Sequence, residues 1–168
     1  LPHLKPAGER VTIPYGDHVF YGNLRKPYGI ENPPIVIMAL GLDSAKEEMG
    51  TNEEVFLQRG IATLAFDGPG QREAEYDLPI CPEYEMPIKS VIDWLHSRTD
   101  IDLNRIGIWG VSLGGYYAPR AAAIDKRIKA CISLTGPYNL MDCFDSLPEL
   151  TKTAFIHRSA CRDEANAK

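Results

Sequence analysis

Residues 110–115, GVSLGG, constrain this chain more than any other stretch. They match G-x-S-x-G with Ser112 at the centre, the pattern of a serine set on a sharp turn between a strand and a helix. Such a turn forces the serine backbone into a sparsely populated conformation. It also brings neighbouring chain so close that positions two residues to either side have no room for a side chain. Gly110 and Gly114 supply that room. The context fits, because residues 105–109, RIGIW, read as a short buried parallel strand and 113–124, LGGYYAPRAAAI, as a buried helix. The serine hydroxyl should then stand above the end of a sheet, with the backbone N–H of Leu113 aimed where a tetrahedral oxyanion would form. Pro119 goes against the pattern. Its ring should kink the helix and leave the carbonyl of Gly115 without its usual partner.

The rest of the chain alternates in the same way. Residues 11–13 and 21–24, separated by Tyr15-Gly16-Asp17, read as two short antiparallel strands at a sheet edge. The continuous apolar runs 35–40 (IVIMAL), 61–66 (IATLAF) and 129–134 (KACISL) read as further buried strands. Between the first two, a helix marked by Val55 and Phe56 should end near Gly60, with Asp43 or Ser44 as its cap. Residues 87–97 place Ile88, Val91, Ile92 and Leu95 on one helical face, with Pro87 near the start. This pattern predicts a mostly parallel sheet covered by helices on both faces, with ligands beyond the carboxyl ends of the strands. The loops at 41–44, 67–71 and 110–115 should converge on one cleft there.

A chain of 168 residues is one domain by length, and no apolar run approaches the roughly 20 residues that span a bilayer. The net charge of −5 argues against a nucleic-acid surface. Cys81, Cys131, Cys143 and Cys161 are widely spaced without a CxxC pair, which points to reduced thiols in a cytoplasmic setting rather than to disulfides or a metal site. No cofactor is expected.

An antiparallel pair, strand–helix alternation and then the GVSLGG turn resemble an α/β-hydrolase. More narrowly, GLDSAKEE (41–48) and FDGPGQ (66–71) resemble the group containing 2,6-dihydropseudooxynicotine hydrolase and the fungal enzymes that shorten polyketide pigment precursors. The resemblance runs from about residue 33 to about 136. It implies hydrolysis of a carbon–carbon bond next to a ketone by a Ser-Asp-His triad, a helical cap domain and a homodimer. By position, Ser112 matches the nucleophile, and the N–H groups of Leu113 and Leu42 match the oxyanion hole. Asp43 stands where the nicotine-pathway enzyme has an acidic glutamate, one methylene longer. Arg72 replaces the glycine that often follows Gln71 in this group. The substrate implied is a small ketone or an ester, with no nucleic acid or membrane as partner.

Hydrolysis by a serine needs a base to take its proton and an acid to hold that base. After Ser112 the only histidine is His157, with Asp125, Asp142, Asp145 and Asp163 as candidate acids. His157 reads as an exposed helix residue, since nothing between 136 and 157 resembles the two strands that precede a catalytic histidine in this fold. The expectation is therefore a chain incomplete at its C-terminal side. In it, residues 1–137 form the N-terminal part of the core and 138–168 a helical segment that starts a cap. Asp67 should stabilise its own turn. His3, His18 and His96 read as surface residues, and the pairs Glu47-Glu48 and Glu53-Glu54 as a solvated helix face. Two other readings stay open: a carboxylesterase or dienelactone-type hydrolase using the same serine, and a non-catalytic binding module that keeps the sheet.

Overall fold

The computed structural model describes residues 1–161. Six strands form one sheet: β1 (Gly8–Tyr15), β2 (His18–Arg25), β3 (Ile35–Ala39), β4 (Ala62–Phe66), β5 (Ile106–Val111) and β6 (Ile128–Leu134). Their order across the sheet is β1-β2-β4-β3-β5-β6. The hairpin β1–β2 is antiparallel and β2 joins β4 antiparallel, whereas β4, β3, β5 and β6 run parallel. The hairpin forms where the sequence puts it, at one edge, with Gly16 at φ 56° in the turn. Its strands are longer than the sequence suggests, because alternate residues of β1 face solvent and carry no apolar signal.

Successive strand residues point to opposite faces, and both faces are covered. Ile35, Ile37 and Ala39 join a core with Ile88, Val91, Ile92 and Tyr117 from α2 (Glu85–Leu95) and α3 (Leu113–Ile124). Val36, Met38 and Leu40 pack on the other side with Met49 and Trp109, next to Phe56 of α1 (Gly50–Leu57). A tight 3-10 turn, Lys46–Met49, precedes α1, and Ala45 rather than Asp43 or Ser44 stands at its start. Gly60 closes the segment after α1 at φ 76°, as a C-terminal glycine should. Two short helices follow the sheet, α4 (Leu140–Phe144) and α5 (Glu149–Arg158). They meet edge to face through Phe144 and Phe155, with ring centroids 5.7 Å apart.

Two expectations need correction. First, β6 is not buried: after Ile128 every residue of the strand is exposed, with Ile132 and Leu134 each at 44%. Among the described residues β6 pairs only with β5, so it is an edge of the described sheet, and an apolar run cannot by itself reveal whether anything lies beside it. Second, α1 buries Glu53 and Leu57, while Val55 is half exposed. Glu53 is held at 2.9 Å by Arg25, which is completely buried and also reaches Glu54 at 2.6 Å. Burial raises the pKa of the Glu53 carboxyl, against hydrogen bonds from Arg25 and Thr63 that lower it. Pro119 lies inside α3, which stays helical through it. The carbonyl that the proline leaves open, on Gly115, accepts a 2.6 Å hydrogen bond from the Ser133 hydroxyl.

Candidate active site

Ser112 joins β5 to α3 at φ 54°, ψ −121°, a left-handed conformation that costs a non-glycine residue about 1–3 kcal/mol. Two backbone hydrogen bonds over-determine it. Its N–H donates to the carbonyl of Leu134 at 2.9 Å, and its own carbonyl accepts from Gly115 N at the same distance. The flanking glycines are required by contact: a Cβ on Gly110 would sit 2.0 Å from the carbonyl oxygen of Gly114, and one on Gly114 2.0 Å from that of Ala39. The turn leaves the Ser112 side chain exposed, at the wall of a cavity of about 340 Å³. That cavity is mostly apolar, lined by Leu42, Leu113 and Pro137 from the core and by Leu140, Leu147 and Phe155 from the two terminal helices.

The loop after β3 packs directly on the serine. A Cβ built on Gly41 would lie 3.3 Å from the Cβ of Ser112. Four consecutive carbonyls of this loop are each held by a side chain from elsewhere. The Nε2 of Gln71 donates to the carbonyls of Leu40 and Gly41 at 2.9 and 3.1 Å. Arg158 of α5 donates to that of Leu42, and Arg72 to that of Asp43 at 2.8 Å. Gln71 is itself fixed, because its Oε1 accepts from Gly68 N at 2.9 Å and from the Tyr84 hydroxyl at 3.1 Å. Burial holds the Tyr84 phenol well above its usual pKa, so it stays a neutral donor. Arg72 adopts φ 38°, in the left-handed region that favours glycine.

Beneath this loop lies a buried ion pair. Lys46 and Asp67 are 2% and 0% exposed, and Lys46 Nζ approaches Asp67 Oδ2 at 2.6 Å and Glu73 Oε2 at 2.9 Å. Burial opposes the Lys46 ammonium, but hydrogen bonds to Asp67, Glu73 and Glu47 outweigh it and raise its pKa. The other Asp67 oxygen accepts from Lys46 N at 3.0 Å. Asp67 therefore ties two loops together instead of stabilising its own turn. Neither Gln71 nor Lys46 stands out in the sequence as a residue of the site. The only available signal was their place in the strings FDGPGQ and KEE.

Of the residues expected at the site, Ser112, Leu113 and Leu42 line one cavity. Asp43 does not line it: its side chain is 68% exposed and lies 3.4 Å from Arg158. His157, in the last turn of α5, is exposed and also outside the cavity lining, as are the exposed His3, His18 and His96. Asp125 is engaged by Arg127 at 2.6 Å, Asp142 and Asp145 are exposed, and Asp163 lies outside the described residues. The loops at 41–44 and 110–115 meet at the cavity, while 67–71 supports the first from behind. Among the described residues no group of histidine, cysteine or carboxylate side chains could hold a metal, and no helix is long and apolar enough to cross a membrane.

A family model described as X-Pro dipeptidyl-peptidase (S15 family) matches residues 23–147. The chain is 39% identical over 158 residues to 2,6-dihydropseudooxynicotine hydrolase of Paenarthrobacter nicotinovorans, covering 94% of this chain and 43% of that protein. It is 40% identical over 118 residues to the 20-hydroxy-prefusarin hydrolase of Gibberella moniliformis, 65% of this chain and 27% of that one. The crystal structure of the 2,6-dihydroxy-pseudo-oxynicotine hydrolase superimposes with a TM-score of 0.94 at 38% identity, covering 99% of this chain and 47% of that chain. A ferulic acid complex of Est1E from Butyrivibrio proteoclasticus, at 24% identity and a TM-score of 0.68, shares the fold. The chain spans less than half the length of the first two of these hydrolases.

Proposed function

The chain belongs to the X-Pro dipeptidyl-peptidase (S15) family of α/β-hydrolases, and from that premise we propose that Ser112 is the nucleophile of a hydrolase that cleaves a carbon–carbon bond next to a ketone. One observation carries this reading. Ser112 is held in a strained turn with its hydroxyl open to an apolar cavity, and a serine needs no such support to serve as a surface residue. The 39% identity to 2,6-dihydropseudooxynicotine hydrolase supports the substrate class.

In this mechanism the Ser112 oxygen adds to the ketone carbon and its proton passes to a base. The carbonyl oxygen becomes an oxyanion facing the N–H groups of Leu42 and Leu113. Leu113 opens α3, so its N–H has no partner within the helix. The oxyanion collapses, the carbon–carbon bond breaks, and the departing carbanion-like fragment takes a proton. Water then releases the acyl group from Ser112. The base is not among the described residues that line the cavity. Residues 138–161 serve as the start of a cap, since α4 and α5 form the far wall of the cavity.

A second reading, ester hydrolysis by the same serine, draws on the position of Asp43. Its carboxylate lies beside Arg158 and not in the cavity, and an ester leaves as an alcohol without needing carbon protonation. Two experiments test these readings. A fluorophosphonate should label Ser112 and leave Ser112→Ala unmodified, and an inert Ser112 would mean a binding module. Asp43→Asn separates the two: a loss of ketone cleavage far beyond any loss of ester cleavage favours the carbon–carbon reading, and equal effects favour the ester reading.

A further inference from the structure

The Gly41–Leu42 peptide carries two groups that point in opposite directions, the carbonyl of Gly41 and the N–H of Leu42. Fixing one fixes the other. The carbonyl accepts from Gln71 Nε2 at 3.1 Å, and the same nitrogen holds the carbonyl of Leu40 at 2.9 Å. The orientation of the Gln71 amide is unambiguous, because its oxygen takes two donors, Gly68 N and Tyr84 Oη, and its nitrogen feeds two carbonyls. Gln71 is 2% exposed, so water does not compete for these bonds. Meanwhile Gly41 abuts the Cβ of Ser112, which leaves the peptide little freedom to shift toward the serine.

We propose that Gln71 is the positioning residue for the oxyanion hole: its amide nitrogen anchors the Gly41 carbonyl and thereby aims the Leu42 N–H at the reacting oxygen above Ser112. This rests on the reading of Ser112 as nucleophile. A hydrogen bond accepted by the carbonyl also polarises the peptide and strengthens its N–H as a donor. The three neighbouring holds, by Gln71 on Leu40, Arg158 on Leu42 and Arg72 on Asp43, restrain the loop but do not act on the peptide that bears the Leu42 N–H. Gln71 does not touch the substrate. Its effect is transmitted through one peptide plane.

The test is Gln71→Met, which keeps length and volume but donates nothing. The rate constant for phosphonylation of Ser112 by a fluorophosphonate should fall about 100-fold, the loss typical of a reacting group displaced by about 1 Å. The final stoichiometry of labelling should stay at one per chain, because a merely structural defect would instead lower that endpoint at an unchanged rate. Gln71→Asn, which retains the amide one methylene short of the carbonyls, should behave like Gln71→Met and carries the test should the methionine variant not fold. In parallel, the amide resonance of Leu42 should shift in both variants while that of Leu113 stays in place. Labelling as fast as in the unmodified protein, or an unmoved Leu42 resonance, would overturn the proposal. If the unmodified protein is not labelled at all, the nucleophile reading fails, and the Leu42 resonance still decides whether Gln71 sets that peptide.

Discussion

The hydroxyl of Ser133 on β6 donates to the carbonyl of Gly115 on α3 at 2.6 Å, taking the place of the N–H that Pro119 lacks. The helix that follows Ser112 thus tolerates a proline in its interior because the neighbouring strand satisfies the orphaned carbonyl. Ser133→Ala should cost about 1 kcal/mol in chemical denaturation. In a Pro119→Ala background the same change should cost appreciably less, since residue 119 then supplies its own N–H. Equal costs in both backgrounds would refute the substitution of one donor for the other.

Glycines in this chain are not equivalent. A methyl group on Gly114 would meet the backbone of Ala39 at 2.0 Å, whereas one on Gly16, at φ 56°, would have nothing within 4 Å. Gly16→Ala should cost only the left-handed strain, about 1–2 kcal/mol. Gly114→Ala should separate β3 from the start of α3, leaving soluble protein whose Ser112 no longer reacts or no soluble protein at all. Thermal melts and fluorophosphonate labelling of both variants check the contrast.

The pair Lys46–Asp67 is almost wholly buried, so removing one partner strands a charge. Lys46→Met should destabilise by about 3–5 kcal/mol, the usual cost of breaking a buried pair. The double variant Lys46→Met/Asp67→Asn should recover a large part of that loss. An additive outcome would contradict the pairing.

Arg72 holds a glycine-type backbone, φ 38°, while its guanidinium bonds the carbonyl of Asp43. Arg72→Ala keeps the strain and loses the bond, whereas Arg72→Gly loses both. The glycine variant should be more stable than the alanine variant by about 1 kcal/mol. The reverse ranking in urea titrations would mean that the strain is absent in solution.

Asp100 takes hydrogen bonds from Arg98 at 2.9 and 2.8 Å and from Lys26 at 2.6 Å. Arg98 first, and Lys26 with it, holds the Asp100 carboxyl well below its ordinary value of 3.8. A folded-state pKa below the unfolded one stabilises above the unfolded value, and that stability is lost as pH falls through the folded one. Asp100→Asn should therefore be less stable than the unmodified protein at pH 7 by about 1 kcal/mol, a partly exposed network contributing no more than this. The gap should begin to narrow as pH drops below about 4 and keep narrowing toward the depressed folded-state value. A gap as large at pH 2 as at pH 7 would rule out the carboxylate as its source.

Much of the site was legible in the chain itself. GVSLGG with an apolar run before it reads as a strained serine turn, because the spacing of Gly110 and Gly114 reports approaches so close that an added Cβ would lie 2.0 Å from a backbone oxygen. The alternation of apolar runs and helical patterns fixed a mostly parallel sheet, since a strand covered on both faces must be apolar throughout. The tertiary structure alone decided which polar residues turn inward. Glu53, Lys46 and Gln71 look like ordinary surface residues in sequence. They are buried because Arg25, Asp67 and the carbonyls of Leu40 and Gly41 lie opposite them, from 28, 21 and about 30 residues away. A charged or amide side chain carries no local mark of burial, as its partner is set by where distant strands meet. The exposure of β6 follows the same logic: an apolar strand is covered only if the fold puts something beside it.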